Sequence, residues 1–193
     1  MFKNVYAVGL LIFTAIILAF FITNIFFRDV DYYRNSVTLS AFLLPLLFAL
    51  GALLSVTTYV KHKKRVSFKE AYGRAFIPMF IGGALSLGSI FLYINYVDPD
   101  TKDLLNYQYI ESFKTALDDE YERGSKVFKP ESAEMKDIET KYQQGIERIE
   151  AKRQRKEDMF SVKYFLYIFA GYSAYFLLLS LFFGSFFRTR SNT

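Results

Sequence analysis

The chain has 193 residues, 52% of them hydrophobic, with 22 Phe, 15 Tyr, no Trp, no Cys and a net charge of +5. Without cysteine there is no disulfide framework, no thiolate metal site and no cysteine nucleophile. Apolar residues gather in long runs while most charges fall in one central block, which excludes an ordinary soluble domain and indicates a membrane core carrying one insertion.

Crossing a hydrocarbon core of about 30 Å takes about 20 apolar residues at about 1.5 Å of helix rise each. Four charge-free stretches meet that length. The first runs from Val5 to Phe27; it exceeds a signal-peptide core of about 7–15 residues and reads as an uncleaved anchor. The second runs from Val37 to Val60 and contains Pro45, which removes a backbone donor and should kink the helix, freeing the carbonyl of Ala41. The third, Phe76 to Val97, carries Pro78 near its expected start, and the fourth runs from Tyr164 to Phe187. Small residues at four-residue spacing (Gly51 and Ser55, Gly82 and Ser86, Ala84 and Gly88, Ala170 and Ala174) mark faces where helix backbones approach closely, within the bundle or between protomers.

Between the second and third stretches lies a basic segment with Lys61, Lys63, Lys64, Arg65, Lys69 and Arg74, the expected membrane-surface group facing anionic headgroups. The single histidine, His62, reads as a solvated residue of this loop. Ser67-Phe68-Lys69-Glu70 fits a capping box, and Phe68, Ala71, Tyr72, Ala75, Phe76 and Met79 follow at helical spacing. A short interfacial helix is expected there, turning into the third span. Lys3, the loop basics, Arg188 and Arg190 outnumber Arg28 and Arg34 of the opposite loop, which Asp29 and Asp31 balance. The positive-inside rule then puts both termini in the cytoplasm and residues 98–162 outside. Lys152, Arg153, Arg155, Lys156 and Lys163 argue the other way, but loops longer than about 60 residues largely escape the rule. Since so much of the basic excess flanks membrane helices, no nucleic-acid partner is expected.

The insertion reads as an αα-hairpin arm. Its first helix spans Thr101 to Arg123, with Leu105, Tyr109, Phe113, Leu117 and Tyr121 at four-residue steps and Ile110 alongside; Gly124, Ser125 and Lys129-Pro130 should break it. The second starts near Pro130, carries Met135, Ile138, Tyr142, Ile146 and Ile149, and is expected to run unbroken into the fourth span. Sixteen acidic residues against thirteen basic ones over Asp98–Lys163 nearly cancel, so these charges read as a solvated coat. Stiffness and the lack of a cavity suit a protein contact, with Tyr109, Phe113, Leu117, Tyr121, Ile138, Tyr142 and Ile149 as partner-binding candidates.

The expected architecture is thus all-α, a four-transmembrane-helix bundle with an extramembrane helical hairpin between helices 3 and 4. Residues 1–97 hold three spans, 98–162 the arm, and 163–193 the fourth span and a short basic tail. No ionisable residue falls within the four apolar stretches, which weakens ion-coupled transport. The polar residues inside them are hydroxyls and amides such as Thr14, Thr23, Asn24, Ser40, Ser55, Thr57, Ser86, Asn95 and Ser173, most of which can bond back to their own helix or pack against a neighbour. No phosphate loop, Ser-His-Asp set or metal-ligand spacing occurs, and Asp118, Asp119, Glu120 and Glu122 point different ways around a helix. Neither catalysis nor a cofactor is expected. Two readings remain: a non-enzymatic subunit that holds a protein partner or a second copy of itself, and a small oligomeric channel or carrier with a path near Pro45 and Gly82-Gly83. Asp98 and Asp100 read as a helix stop and cap, and a weaker third idea has them as groups acting on lipid.

The segments VSFKEAYGRAF and YINYVDPD, separated by an apolar span, resemble the signature of domain-of-unknown-function family 4199. Ser67, Phe68, Ala71, Tyr72, Asp98, Pro99 and Asp100 are the matching positions. That resemblance implies a four-span, multi-pass inner-membrane protein of the kind widespread in Bacteroidota, and it implies no catalytic residues. The arm here is longer and more regular than is usual for the family.

Overall fold

A computed structural model describes residues 4–29, 31–63 and 65–189, and every regular element among them is helical. Residues up to Val97 and from Ser161 onward form one compact unit; Asp98–Phe160 forms a second. Four helices are long and apolar enough to cross a membrane: Val5–Phe26, Tyr32–Val60, Phe68–Val97 and Val162–Phe187. The protein is therefore a four-span helical bundle with a helical hairpin between its third and fourth spans.

Within the bundle the third span is central and packs on the other three, while the first and fourth do not touch each other among the described residues. Small residues permit this closeness. Gly82 lies against Ile12 and the Gly9 carbonyl of the first span, Gly83 against Phe176 of the fourth, and Gly51 against Ile12. Gly51, Ser55, Gly82 and Ser86 are all buried, so two of the four expected small-residue pairs are bundle contacts. Gly88, Ala170 and Ala174 stay on the outside. The buried Ser55 and Ser180 hydroxyls have no hydrogen-bond partner among the described residues, but other polar side chains bond back to their own helix: Thr14, Thr23, Thr57 and Ser86 donate to the carbonyl four residues back at 2.7–2.9 Å. Asn95 does the same at 3.0 Å.

Three expectations about the spans need correction. The second span begins at Tyr32, five residues before the apolar stretch, because Tyr32 is fully buried and its hydroxyl donates to Asn24 Oδ1 at 3.3 Å. Among the described residues no separate interfacial helix precedes the third span. The capping box at Ser67 starts the membrane helix itself, which runs straight on to Leu92 and into a π-helical end at Tyr93–Val97. Half of the stripe read as interfacial is core, with Ala71, Ala75 and Met79 completely buried, whereas Phe68 is exposed. Pro78 consequently sits well inside the helix rather than near its start.

The third correction concerns Pro45. A π-helical turn, Leu39–Leu43, precedes it, and the Leu44 amide donates to Leu39 five residues back. In that register the donor that Pro45 lacks would have served Ser40, not Ala41. Tyr172 of the fourth span supplies the substitute: its hydroxyl donates to the Ser40 carbonyl at 2.9 Å. Tyr175 donates likewise to the Pro45 carbonyl at 3.0 Å. A membrane offers no water to replace such bonds. Tyr172→Phe should therefore destabilise the bundle by about 0.5–1.5 kcal/mol in detergent thermal unfolding. Tyr175→Phe should cost less, because a carbonyl inside regular helix already has a helical donor. Equal and negligible effects would show that the π turn needs no cap.

Candidate functional site

Two surfaces carry the chemistry-bearing residues, and each is described by itself. At one end of the bundle the second span stops, the third begins, and the chain from the fourth arrives. Val66 is buried there; its amide donates to Thr189 Oγ1 at 3.0 Å, and the Thr189 amide donates back to the Val66 carbonyl at 2.9 Å. The capping box holds the start of the third span: Ser67 Oγ accepts from the Glu70 amide at 3.3 Å, and Glu70 Oε2 accepts from the Ser67 amide at 3.0 Å. The other Glu70 oxygen pairs with Lys63 and accepts from the Tyr59 hydroxyl at 3.2 Å. The Glu70 carboxylate first, and the Tyr59 hydroxyl second, hold the Lys63 ammonium above the ordinary lysine range.

Tyr59 is the hub of this end. Its ring carries the Arg74 guanidinium at 4.1 Å and the Lys63 ammonium at 5.5 Å from its centroid. Sequence reading grouped the basic residues but missed Tyr59. The only signal was its position four residues before Lys63, one helical turn away; its meeting with Arg74 depends on how two helices pack. Of the expected membrane-surface group, Lys61, Lys63, Arg65 and Lys69 are exposed and Arg74 is half-buried. Lys64 lies outside the described residues, as do Lys3 and Arg190. His62 is exposed, with Nδ1 2.8 Å from the Thr58 carbonyl.

The two halves of the family-like motif prove to be helix starts. Ser67 caps the third span, Phe68 fills the space over Gly184, and Tyr72 stacks between Phe68 and Phe76 at 6.0 Å from each. Asp98 caps the first arm helix, its two oxygens accepting from the Thr101 amide at 3.1 Å and the Thr101 hydroxyl at 2.7 Å. Pro99 occupies the first helical position and Asp100 the first turn, where an acidic side chain meets the positive end of the helix dipole.

In the arm, the first helix runs Pro99–Val127 and the second Ala133–Gln154, starting not near Pro130 as expected but after Ser132, whose Oγ accepts from the Met135 amide at 3.2 Å. Gly124 does not break the first helix. It is a buried contact point, since a Cβ there would lie 2.5 Å from Ile138 Cδ1. Gly145 plays the same part opposite Leu117, again at 2.5 Å. The Tyr121 and Tyr142 rings meet at a tilt, 4.9 Å between centroids, and the Tyr142 hydroxyl donates to Asp118 at 2.8 Å. Glu111 pairs with Arg153 across the hairpin. Of the seven partner-binding candidates, Ile149 is buried, and Leu117, Tyr121, Ile138 and Tyr142 are half-buried between the two helices. Tyr109 is half-buried beneath Lys152, whose ammonium is 5.3 Å from its ring centroid. Phe113 alone of the seven is exposed, at 42%, and sequence reading missed the tip, where Val127 is 75% exposed beside Phe128.

The second arm helix does not continue into the fourth span. It ends at Gln154, Lys156 takes a positive φ of 48°, and the span starts afresh after Ser161. The cause is a polar knot. Asn106 Oδ1 accepts from the Met159 amide at 3.0 Å, Asn106 Nδ2 donates to Asp158 at 3.1 Å, and Lys102 pairs with Asp158 at 2.7 Å. Asp158 also accepts from the Phe160 amide at 2.8 Å, a local turn that competes with helix.

The glycines suggested for a transport path are filled: the space a side chain would occupy is taken by Ile12 at Gly82 and by the Phe176 ring at Gly83. Among the described residues no three His, Cys, Asp or Glu side chains gather where they could hold a metal ion. No curated protein and no solved structure matches the chain. Residues 8–189, from the first span through the arm to the end of the fourth, match the family described as "Protein of unknown function (DUF4199)". All of the first span but its first three residues, the other three spans and both capped motifs lie inside that match, and the chain belongs to the DUF4199 family.

Proposed function

We propose that this protein is a non-enzymatic integral subunit or accessory protein of a bacterial inner membrane, with a helical arm that docks a partner protein. Both termini and the basic loop face the cytoplasm in this reading, and the arm faces out. The observation that carries it is the arm's independence: Asp98–Phe160 is a compact unit of its own, closed by its own seam. The seam uses most of the arm's apolar residues, so docking falls to the charged outer faces, to Phe113, and to the apolar tip at Val127 and Phe128.

Site-specific photo-crosslinkers in the full-length protein test this in native membranes. Placed at Phe113 or Val127, they should yield one discrete adduct, and placed at buried Ile149 they should yield none. Replacing residues 101–160 by a flexible linker should leave the protein in the membrane and abolish recovery of the partner. Unchanged recovery without the arm, or no adduct from any exposed arm position, would overturn the docking role.

A further inference from the structure

We propose that the cleft at the basic end of the bundle is a binding site for an anionic phospholipid, its phosphate held by Lys69 and Arg74. The cleft is open, with a volume of about 750 Å3. Its walls come from three span ends: Asn4 and Val5 at the start of the first span, Tyr59 at the end of the second, and the first turns of the third. Span ends lie at the depth of lipid headgroups, so its ordinary occupant is an amphiphile oriented like its neighbours.

The charge balance favours an anion. Glu70 lines the cleft, but its carboxylate is committed to Lys63, Tyr59 and Ser67. Lys69 is exposed and makes no ion pair among the described residues. Arg74 is fixed rather than flexible, because its guanidinium lies over the Tyr59 ring. The planar fork of donors on a guanidinium suits a phosphate oxygen pair. Phosphate recognition by a fixed guanidinium plus a mobile ammonium is a common division of labour.

The apolar remainder distinguishes a lipid from a free anion. Most of the cleft surface is hydrocarbon, supplied by Val5 and Ile77 below the charges, and Ile77 is exposed. Gly73 keeps the centre open, since a Cβ there would meet only Ile77 Cδ1 at 4.0 Å. The cleft thus offers cations above and an acyl-chain wall below, the pattern of a phospholipid rather than of inorganic phosphate.

The test uses the full-length protein in an uncharged detergent, titrated with short-chain phosphatidylglycerol, with phosphatidylcholine of the same chains, or with inorganic phosphate. The thermal unfolding midpoint is read at each concentration. Phosphatidylglycerol should raise it saturably, and the other two should not. Lys69→Gln should weaken the apparent affinity by roughly tenfold, the scale of one charge-assisted contact. Lys61→Gln, which removes an equal charge outside the cleft, should have little effect. Gly73→Leu keeps every charge but fills the cleft, and should abolish the response while leaving the lipid-free midpoint near native. Equal shifts with phosphatidylcholine would overturn the anion requirement, and an equal shift with inorganic phosphate would reassign the site to free anions. Equal losses from Lys61→Gln and Lys69→Gln, or an intact response in Gly73→Leu, would show diffuse surface charge and no site.

Discussion

Gly82→Ala is expected to lower the thermal unfolding midpoint of the detergent-solubilised protein, whereas Gly88→Ala leaves it unchanged or raises it. The two positions lie on the same helix and the added methyl is the same, so the difference isolates packing. At Gly82 the new Cβ would sit 2.9 Å from the Gly9 carbonyl oxygen and 2.8 Å from Ile12 Cγ2. Backbone cannot move aside as a side-chain tip can, so the first and third spans must separate. Overpacking of this kind costs about 1–3 kcal/mol, more than the roughly 0.5–1 kcal/mol gained by replacing a helical glycine. At Gly88 no atom lies within 4 Å of the added group, and only the propensity gain remains. Equal midpoints for the two variants would sink the claim that the Gly82 face sets the approach of the first span.

Asn106→Leu should loosen the segment between the second arm helix and the fourth span. One side chain there satisfies the Met159 amide and helps hold Asp158; leucine leaves both without that partner, a loss of about 1–3 kcal/mol if they stay buried. Hydrogen exchange at Met159 and Phe160 should quicken, and trypsin should cut more readily at Lys156. The same knot predicts a response to acid. Burial by itself raises the Asp158 pKa, but hydrogen bonds from Lys102, Asn106 and the Phe160 amide outweigh it and leave the carboxyl below its ordinary value. A depressed carboxyl pKa stabilises the fold fully above the unfolded value and loses that contribution as pH falls through the folded one. Protection at Met159 and Phe160 should therefore hold from neutrality down to the ordinary aspartate range, about pH 4, and decline below it. Protection that is flat through strong acid, or identical in Asn106→Leu, would remove the knot as the cause of the helix break.

That break shows where reading the chain in one dimension fails. Between Gly145 and Gly171 there is neither glycine nor proline, so local propensity runs on without interruption. The interruption comes from Asn106, some fifty residues earlier, whose amide captures backbone that would otherwise be helical. The inverse error occurred at Gly124. Glycine followed by Ser125 looks like a stop, yet the helix continues because Ile138 of the facing helix fills the space above it. A glycine read alone cannot reveal whether it ends a helix or admits a neighbour.

The candidate surfaces divide in the same way. Clustering of basic residues after the second span was plain in the sequence, as were the caps at Ser67 and Asp98, since a cap is a contact over three residues. Which cations stay available was not plain. Lys63 lies in the loop and Glu70 seven residues on, in the first turn of the third span, and Tyr59 joins them only because the second and third spans meet there. For the arm, four-residue apolar steps marked the seam except at exposed Phe113, and the same steps could not separate residues that close the arm on itself from one left exposed.

By itself the sequence determined the helical class, the four spans and their order, the position of the hairpin and the capped start of its first helix. Each of these follows from composition over about twenty residues or from contacts within one turn, where chain connectivity already holds the interacting groups together. Only the tertiary structure decided which glycines are contact points, which carbonyl Pro45 leaves for Tyr172, where the second arm helix ends, and which basic residues border an open cleft. Those outcomes depend on groups from different helices competing for the same space or the same hydrogen bond, and such competition has no period along the chain.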